Sequence, residues 1–253
     1  MEKILVYFAI KYEGDWDKIY QAINKKEKVD TKEMEEVLST IDCEYITLIN
    51  EKYPSRLKHI YKPPFVLFYK GNVDLLNSFK KTIGVVGSRK CSKYGCFATE
   101  KLVKELTKEN VIIVSGLASG VDSIAHNSCL LEKGDTIAVV GNGINIFYPL
   151  ENKKLQEDIA NSGLIVSEYP PGVGAIKENF PKRNRIIAGL SDGILVSEAK
   201  YKSGSMITVT RGLELGKEIF CVPDSIYNES GCNKLIKEGA KLVECANDIL
   251  VEL

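Results

Sequence analysis

A chain of 253 residues, 44% hydrophobic and 27% charged, can bury a sizeable core without covalent staples. Its 34 basic and 34 acidic side chains cancel, so no global field marks a polyanionic partner and any such attraction has to be local. Seven cysteines, with no CxxC or Cys/His cluster at zinc spacing, argue for reduced packing thiols and against a disulfide framework or a structural metal.

The chain opens on ILVYFAI at 4–10, followed by Lys11, Glu13, Asp15 and Asp17. This run has no small-residue cleavage site and is too short to span a bilayer, which points to a cytoplasmic protein. Residues 14–26 and 31–40 carry helical spacing and predict a small helical module over 1–45. A connector over 46–80 contains the Pro-bracketed YPSRLKHIYKPPFVLFYKGN (53–72), read as a short helix and a strand that joins the main sheet. From 83 onward, apolar runs alternate with helix-length segments: IGVVG (83–87), VIIVSG (111–116), TIAVVG (136–141), LIVSE (164–168), GILVSE (193–198), EIFCVP (218–223) and KLVE (241–244). Glycine-flanked apolar runs separated by helices predict an α/β domain over 81–253, a doubly wound, mostly parallel sheet covered on both faces. Ligands of such sheets bind beyond the carboxyl ends of the strands, at the switch point.

Four strand ends run into glycine-bearing turns that open helices: GSRKCSKYG (87–95), SGLASGVDSIAH (115–126), GNGINIFYPLEN (141–152) and KSGSMIT (202–208). Glycine lets backbone approach an anion, and the amides and dipole of the helix start then hold it. Gly87, Ser88, Gly116, Gly204 and Ser205 are therefore candidate phosphate-side positions, although tight helix–strand packing also demands glycine. Arg89 follows Gly87 and Ser88 directly, where a guanidinium can grip a phosphate beside the loop amides.

The run KENFPKRNR (177–185) joins four cations, two amides and a phenylalanine at a Pro-marked helix start. Two readings fit it equally. One is a solvated basic helix start with Phe180 as a hydrophobic staple. The other is a contact for single-stranded nucleic acid, in which Lys177, Arg183 and Arg185 meet phosphates, Asn179 and Asn184 bond backbone or base edges, and Phe180 stacks on a base. If the first and fourth strands flank the switch point, Arg89 and this run form one groove. Locally, residues 80–108 carry a net charge of +6 and residues 170–190 one of +3, which matters only where the two stretches meet.

Enzyme signatures are thin. The first turn, GVVGSR, is not G-x-G-x-x-G, and no P-loop occurs. Asp122 and His126 stand at i and i+4, but a capping Asp and a packed His explain them with less. Glu168 and Glu198 end strands on the ligand edge, where they can bind a cation or accept bonds from loop amides.

The ordered blocks YPSRL, PPFVLFYKGN, GVVGSRKCSKYG, SGLASGVDSIAH, GNGINIFYPLEN, SEYPPG, KENFPKRNRIIAGLSDGILVSEA, SGSMITVTRGLELGKEIFCVP and GCNKLIKEGA resemble the DNA-processing protein A family, DprA or Smf, from about 53 to 245. The resemblance implies a non-catalytic cytosolic protein with an extended Rossmann-like domain. Such a protein needs no cofactor, binds single-stranded DNA as a homodimer, and loads a RecA-type recombinase during natural transformation. It also implies DNA contacts at Arg89, Lys177 and Phe180 and in the run Asn179 to Arg185. Three positions depart from the family pattern: Ser119 replaces a loop cation, Asp224 a glycine and Cys232 a small hydroxyl residue. The winged-helix-like module that longer relatives carry at the carboxyl end is not expected in a chain ending at Leu253. The rival reading is a small-nucleotide enzyme or sensor of a related Rossmann-like family, although its PGGxGT signature is missing.

Overall fold

The computed structural model describes residues 1–253. Three helices come first: α1 (Glu2–Lys11), α2 (Trp16–Asn24) and α3 (Thr31–Ser39). Asp15 and Asp30 accept bonds from the leading amides of α2 and α3, so side-chain caps set both starts. The apolar run 4–10 lies in α1, whose Leu5 to Ala9 are buried with Val66, Phe68, Ala138 and Ile165 of the sheet. β1 (Glu44–Thr47) straddles the junction with the connector, which then supplies α4 (Ser55–Lys58) and β2 (Val66–Gly71).

The remainder alternates strand and helix: β3 (Thr82–Val86), α5 (Lys93–Lys108), β4 (Ile112–Ser115), α6 (Val121–Leu131), β5 (Thr136–Val139), α7 (Lys153–Ser162), β6 (Leu164–Ser167), α8 (Asn179–Leu190), β7 (Gly193–Val196), α9 (Ser205–Glu214), β8 (Glu218–Cys221), α10 (Gly231–Lys237), β9 (Lys241–Leu242) and α11 (Asn247–Leu250). Each strand from β4 to β9 falls within one of the seven apolar runs, and β3 starts one residue ahead of its run, at Thr82. Alternate residues point to opposite faces. Val86, Val114, Val139 and Val196 pack under α8, while Ile83, Val85, Ile113 and Leu195 pack under α5 and α6. Burial on both faces explains why these strands read as continuous apolar runs.

The nine strands form one sheet in the order β1-β2-β6-β5-β4-β3-β7-β8-β9. β1 and β2 add antiparallel at one edge, and every pairing from β6 to β9 is parallel. This order corrects one expectation. The first and fourth strands of the parallel series, β3 and β6, are separated by β4 and β5, so they do not flank the switch point. The chain winds outward from β3 to β6 and then recrosses through α8 to β7, on the other side of β3. The switch point therefore lies between β3 and β7, and the return crossing carries residues 168–185 over it. The expected meeting with Arg89 thus comes about through the crossing rather than through strand adjacency.

Candidate nucleic-acid interface

Beyond the carboxyl ends of β3 and β7 lies an open groove of about 530 Å³. Gly87, Ser88 and Arg89 contribute from the turn after β3, Lys177 from the crossing, Phe180 and Asn184 from α8, Lys200, Lys202 and Gly204 from the segment before α9, and Ser205 from the start of α9. Five cations line it, and Asp122 is its only carboxylate.

The β3 turn is fixed by its backbone. The Ser88 amide donates to the Glu198 carbonyl at 2.7 Å, and the Ser88 carbonyl accepts from the Val121 amide at 3.1 Å. The Ser88 amide is thereby spent on the protein, a correction to its expected role as an anion donor. Gly116 loses its amide in the same way, donating to Asp122 Oδ2 at 3.2 Å. The amides of Gly204 and Ser205, at the open start of α9, have no protein acceptor, as the first turn of a helix leaves them. Glu198 accepts from the Ser92 amide and hydroxyl, the second of the two roles open to it in the sequence.

Phe180 is half-buried and lies against Gly141, where any Cβ would stand 2.9 Å from the ring. The Tyr148 ring sits 5.3 Å from it at a tilt of 38°, and the Arg89 guanidinium lies 5.8 Å above it. Arg89 and Lys177 are exposed beside this aromatic pair. A ring flanked by cations in an electropositive groove offers a base a stacking face and its phosphates a counter-charge.

Arg183 and Arg185 are placed differently from the expectation that they meet phosphates. Arg183 is buried under the groove floor, and its Nη1 donates to the Gly116 carbonyl at 2.7 Å and to the Val139 carbonyl. A side chain at 116 would collide with this guanidinium, which is why the loop needs glycine there. Burial pulls the Arg183 pKa down to about 10, Asp122 opposing and Arg89 adding to the shift, so it remains a cation at neutral pH. Arg185 forms a two-pronged pair with Glu168 at 2.7 and 2.6 Å, both side chains almost fully buried. Burial alone lowers its pKa, but the Glu168 carboxylate outweighs this and the net shift is upward. Both arginines thus hold α8 to the ends of β4, β5 and β6, because a buried guanidinium must satisfy its donors internally. Asn184 ties α8 to α9 through the Gly204 carbonyl at 3.3 Å, while Asn179 is buried at the other side of α8.

His126 is the packed core histidine expected, but Asp122 is not the expected helix cap: it lies in the first turn of α6, whose start carries no side-chain cap, and bonds the preceding loop instead. Burial raises the Asp122 pKa, Arg183 opposes it, and the carboxylate accepts the Gly116 and Ala118 amides. His126 Nδ1 meets Thr136 Oγ1 at 2.7 Å in the core. Of the eight cations in residues 80–108, Arg89 alone lines the groove; Lys80, Lys101, Lys104 and Lys108 pair with carboxylates elsewhere. Tyr148, Lys200 and Lys202 also line the groove without a sequence signal of their own: Tyr148 sits in the glycine-bearing turn 141–152, and Lys202 heads the turn 202–208.

The family model for DNA recombination-mediator protein A matches residues 44–253. Over 208 residues the chain is 50% identical to DNA processing protein DprA of Streptococcus pneumoniae, covering 81% of this chain and 73% of that protein. The crystal structure of the S. pneumoniae protein superposes with a TM-score of 0.84 at 40% identity, covering 99% of this chain and 93% of that one. A second solved relative, DNA processing protein A from Helicobacter pylori, is described by its single-stranded DNA binding mode. It superposes with a TM-score of 0.74 at 32% identity, covering 83% of this chain and 96% of that one. On this match of sequence and fold, the chain belongs to the DNA recombination-mediator protein A family.

Proposed function

We propose that this chain binds single-stranded DNA in the groove between the β3 turn, the start of α8 and the start of α9. In this reading it mediates recombination by handing the strand to a RecA-type recombinase during natural transformation, acting as a cytoplasmic homodimer without catalysis of its own. The observation that carries the reading is the groove's composition: five cations against one carboxylate, wrapped around the Phe180–Tyr148 pair. The single-stranded DNA binding of the H. pylori relative supports it.

Arg89, Lys177, Lys200 and Lys202 are the phosphate contacts in this account, with the Gly204 and Ser205 amides beside them. Phe180 supplies the stacking face. Arg183 and Arg185 act indirectly: both keep α8 seated, and Arg183 adds positive charge at the groove floor. A duplex keeps its bases paired and cannot use the ring, and base–aromatic stacking of about 1–3 kcal/mol per base then favours a single strand. Backbone and stacking contacts carry little sequence information, so sequence preference is weak.

Labelled single- and double-stranded oligonucleotides of graded length, titrated alongside mononucleotides, test the proposal. Affinity that rises with single-strand length and exceeds that for duplex supports it. Tight, saturable mononucleotide binding with no gain from length would instead establish the rival nucleotide sensor.

A further inference from the structure

A second cavity, about 340 Å³, opens on the opposite side of α8 from the groove. The helix itself divides the two. Phe180, Arg183, Asn184 and Ile187 face the groove, at spacings of three, four and seven, while Asn179, Lys182 and Arg185 face the second cavity at spacings of three and six. Pro181, exposed on the ridge between these faces, lines both. The basic run at 177–185 therefore builds two cavities that share a rim.

Their chemistry differs. The groove sets five cations against one carboxylate, whereas the second cavity sets Lys18, Lys62, Lys182, Arg185 and Arg211 against Glu13, Asp15, Asp17 and Glu168. Several of these charges are already paired: Lys62 with Asp17 at 2.6 Å, Arg185 with Glu168 at 2.6 Å, and Arg211 with Glu214 at 2.7 Å. A nearly neutral cavity gives little hold on a phosphate. It is rich in aromatic surface instead. Trp16 stacks on Tyr20 and Phe65 at its wall, and Tyr61, 62% exposed, carries Lys62 and Arg211 over its ring at 5.5 and 5.6 Å. An exposed ring held in place by two cations is a ready stacking platform for an uncharged base.

We propose that this cavity is a second base-binding subsite, which takes a nucleobase of the same strand after it crosses Pro181, with its phosphate on the rim near Lys182 and Lys177. The proposal rests on the groove reading, because continuity across Pro181 names the occupant. A pocket of a few hundred Å³ suits one nucleoside.

Trp16 is the chain's sole tryptophan and lines the cavity, so it reports occupancy directly. The experiment follows Trp16 emission and the anisotropy of a labelled oligothymidine of increasing length, for the parent, Tyr61→Ala and Lys182→Glu. Tyr61 and Lys182 are exposed, so neither substitution opens the core. Short oligomers should bind the groove without altering Trp16 emission. Beyond a threshold length, emission should change and affinity should step up, and both variants should lose that step, on the order of tenfold, while keeping the short-oligomer affinity. Binding at every length with constant emission and parental affinity in both variants overturns the subsite and leaves the groove standing. Absence of binding at any length overturns both.

Discussion

Two side chains show how environment decides what a residue can do. Phe180 owes its usefulness to incomplete burial: Gly141 supports one side, Tyr148 and Arg89 brace it, and part of the ring stays open to the groove. Phe180→Ala should weaken single-strand binding roughly 5- to 150-fold, the range set by loss of one stacked base. The salt dependence should stay as it was, since no ion pair is lost; parental affinity in that variant removes the stacking role. His126 illustrates the opposite case. Burial, reinforced by the nearby Arg183 charge, lowers its pKa from about 6.5 to about 3. Between those values the unfolded chain binds a proton that the native one refuses, so this residue's contribution to stability is lost as the pH falls through that window. The urea midpoint of the parent should therefore drop more steeply from pH 7 to pH 4 than that of His126→Gln, and parallel profiles contradict the assignment.

At the scale of elements, α8 is the organising piece, and its basic sequence misrepresents its packing. KRNR looks like a solvated face, yet two of its three cations are buried, because the return crossing from β6 to β7 lays the helix across the carboxyl ends of β4 and β5. Helical spacing identifies which residues share a face, but not which face meets the sheet. The strands themselves were legible, since burial on both sides writes them as unbroken apolar runs. Their order is not, because a run at 164–168 carries no mark of its neighbours, and nothing in the sequence shows that β7 rather than β6 lies beside β3. Helix α1 was hidden for a related reason: its apolar residues surround the helix almost continuously and show no clear period. The Glu168–Arg185 pair anchors α8 to the end of β6, and its worth is best seen by breaking half of it. Glu168→Gln leaves a buried guanidinium without its counter-charge and should cost roughly 3–5 kcal/mol by urea denaturation. Replacing both partners by apolar residues should recover much of that loss, and a single variant as stable as the parent excludes the anchoring role.

For the whole molecule, zero net charge coexists with a strongly positive groove, because the sheet topology gathers Arg89, Lys177, Lys200 and Lys202 from three separate segments onto one edge. Most of the remaining lysines are paired on outer helix faces or solvated, so attraction for a polyanion is confined to that edge. The central claim is that these cations hold the phosphates of a single strand. It is tested most directly by measuring the affinity for one labelled single-stranded oligonucleotide across a salt series, for the parent and for Lys177→Ala and Arg89→Ala. Log affinity should fall linearly with log salt, with the slope shallower by about 0.7 in each variant, as expected for one fewer neutralised phosphate on a single strand. Affinity indifferent to salt, or slopes in both variants equal to that of the parent, contradicts the account.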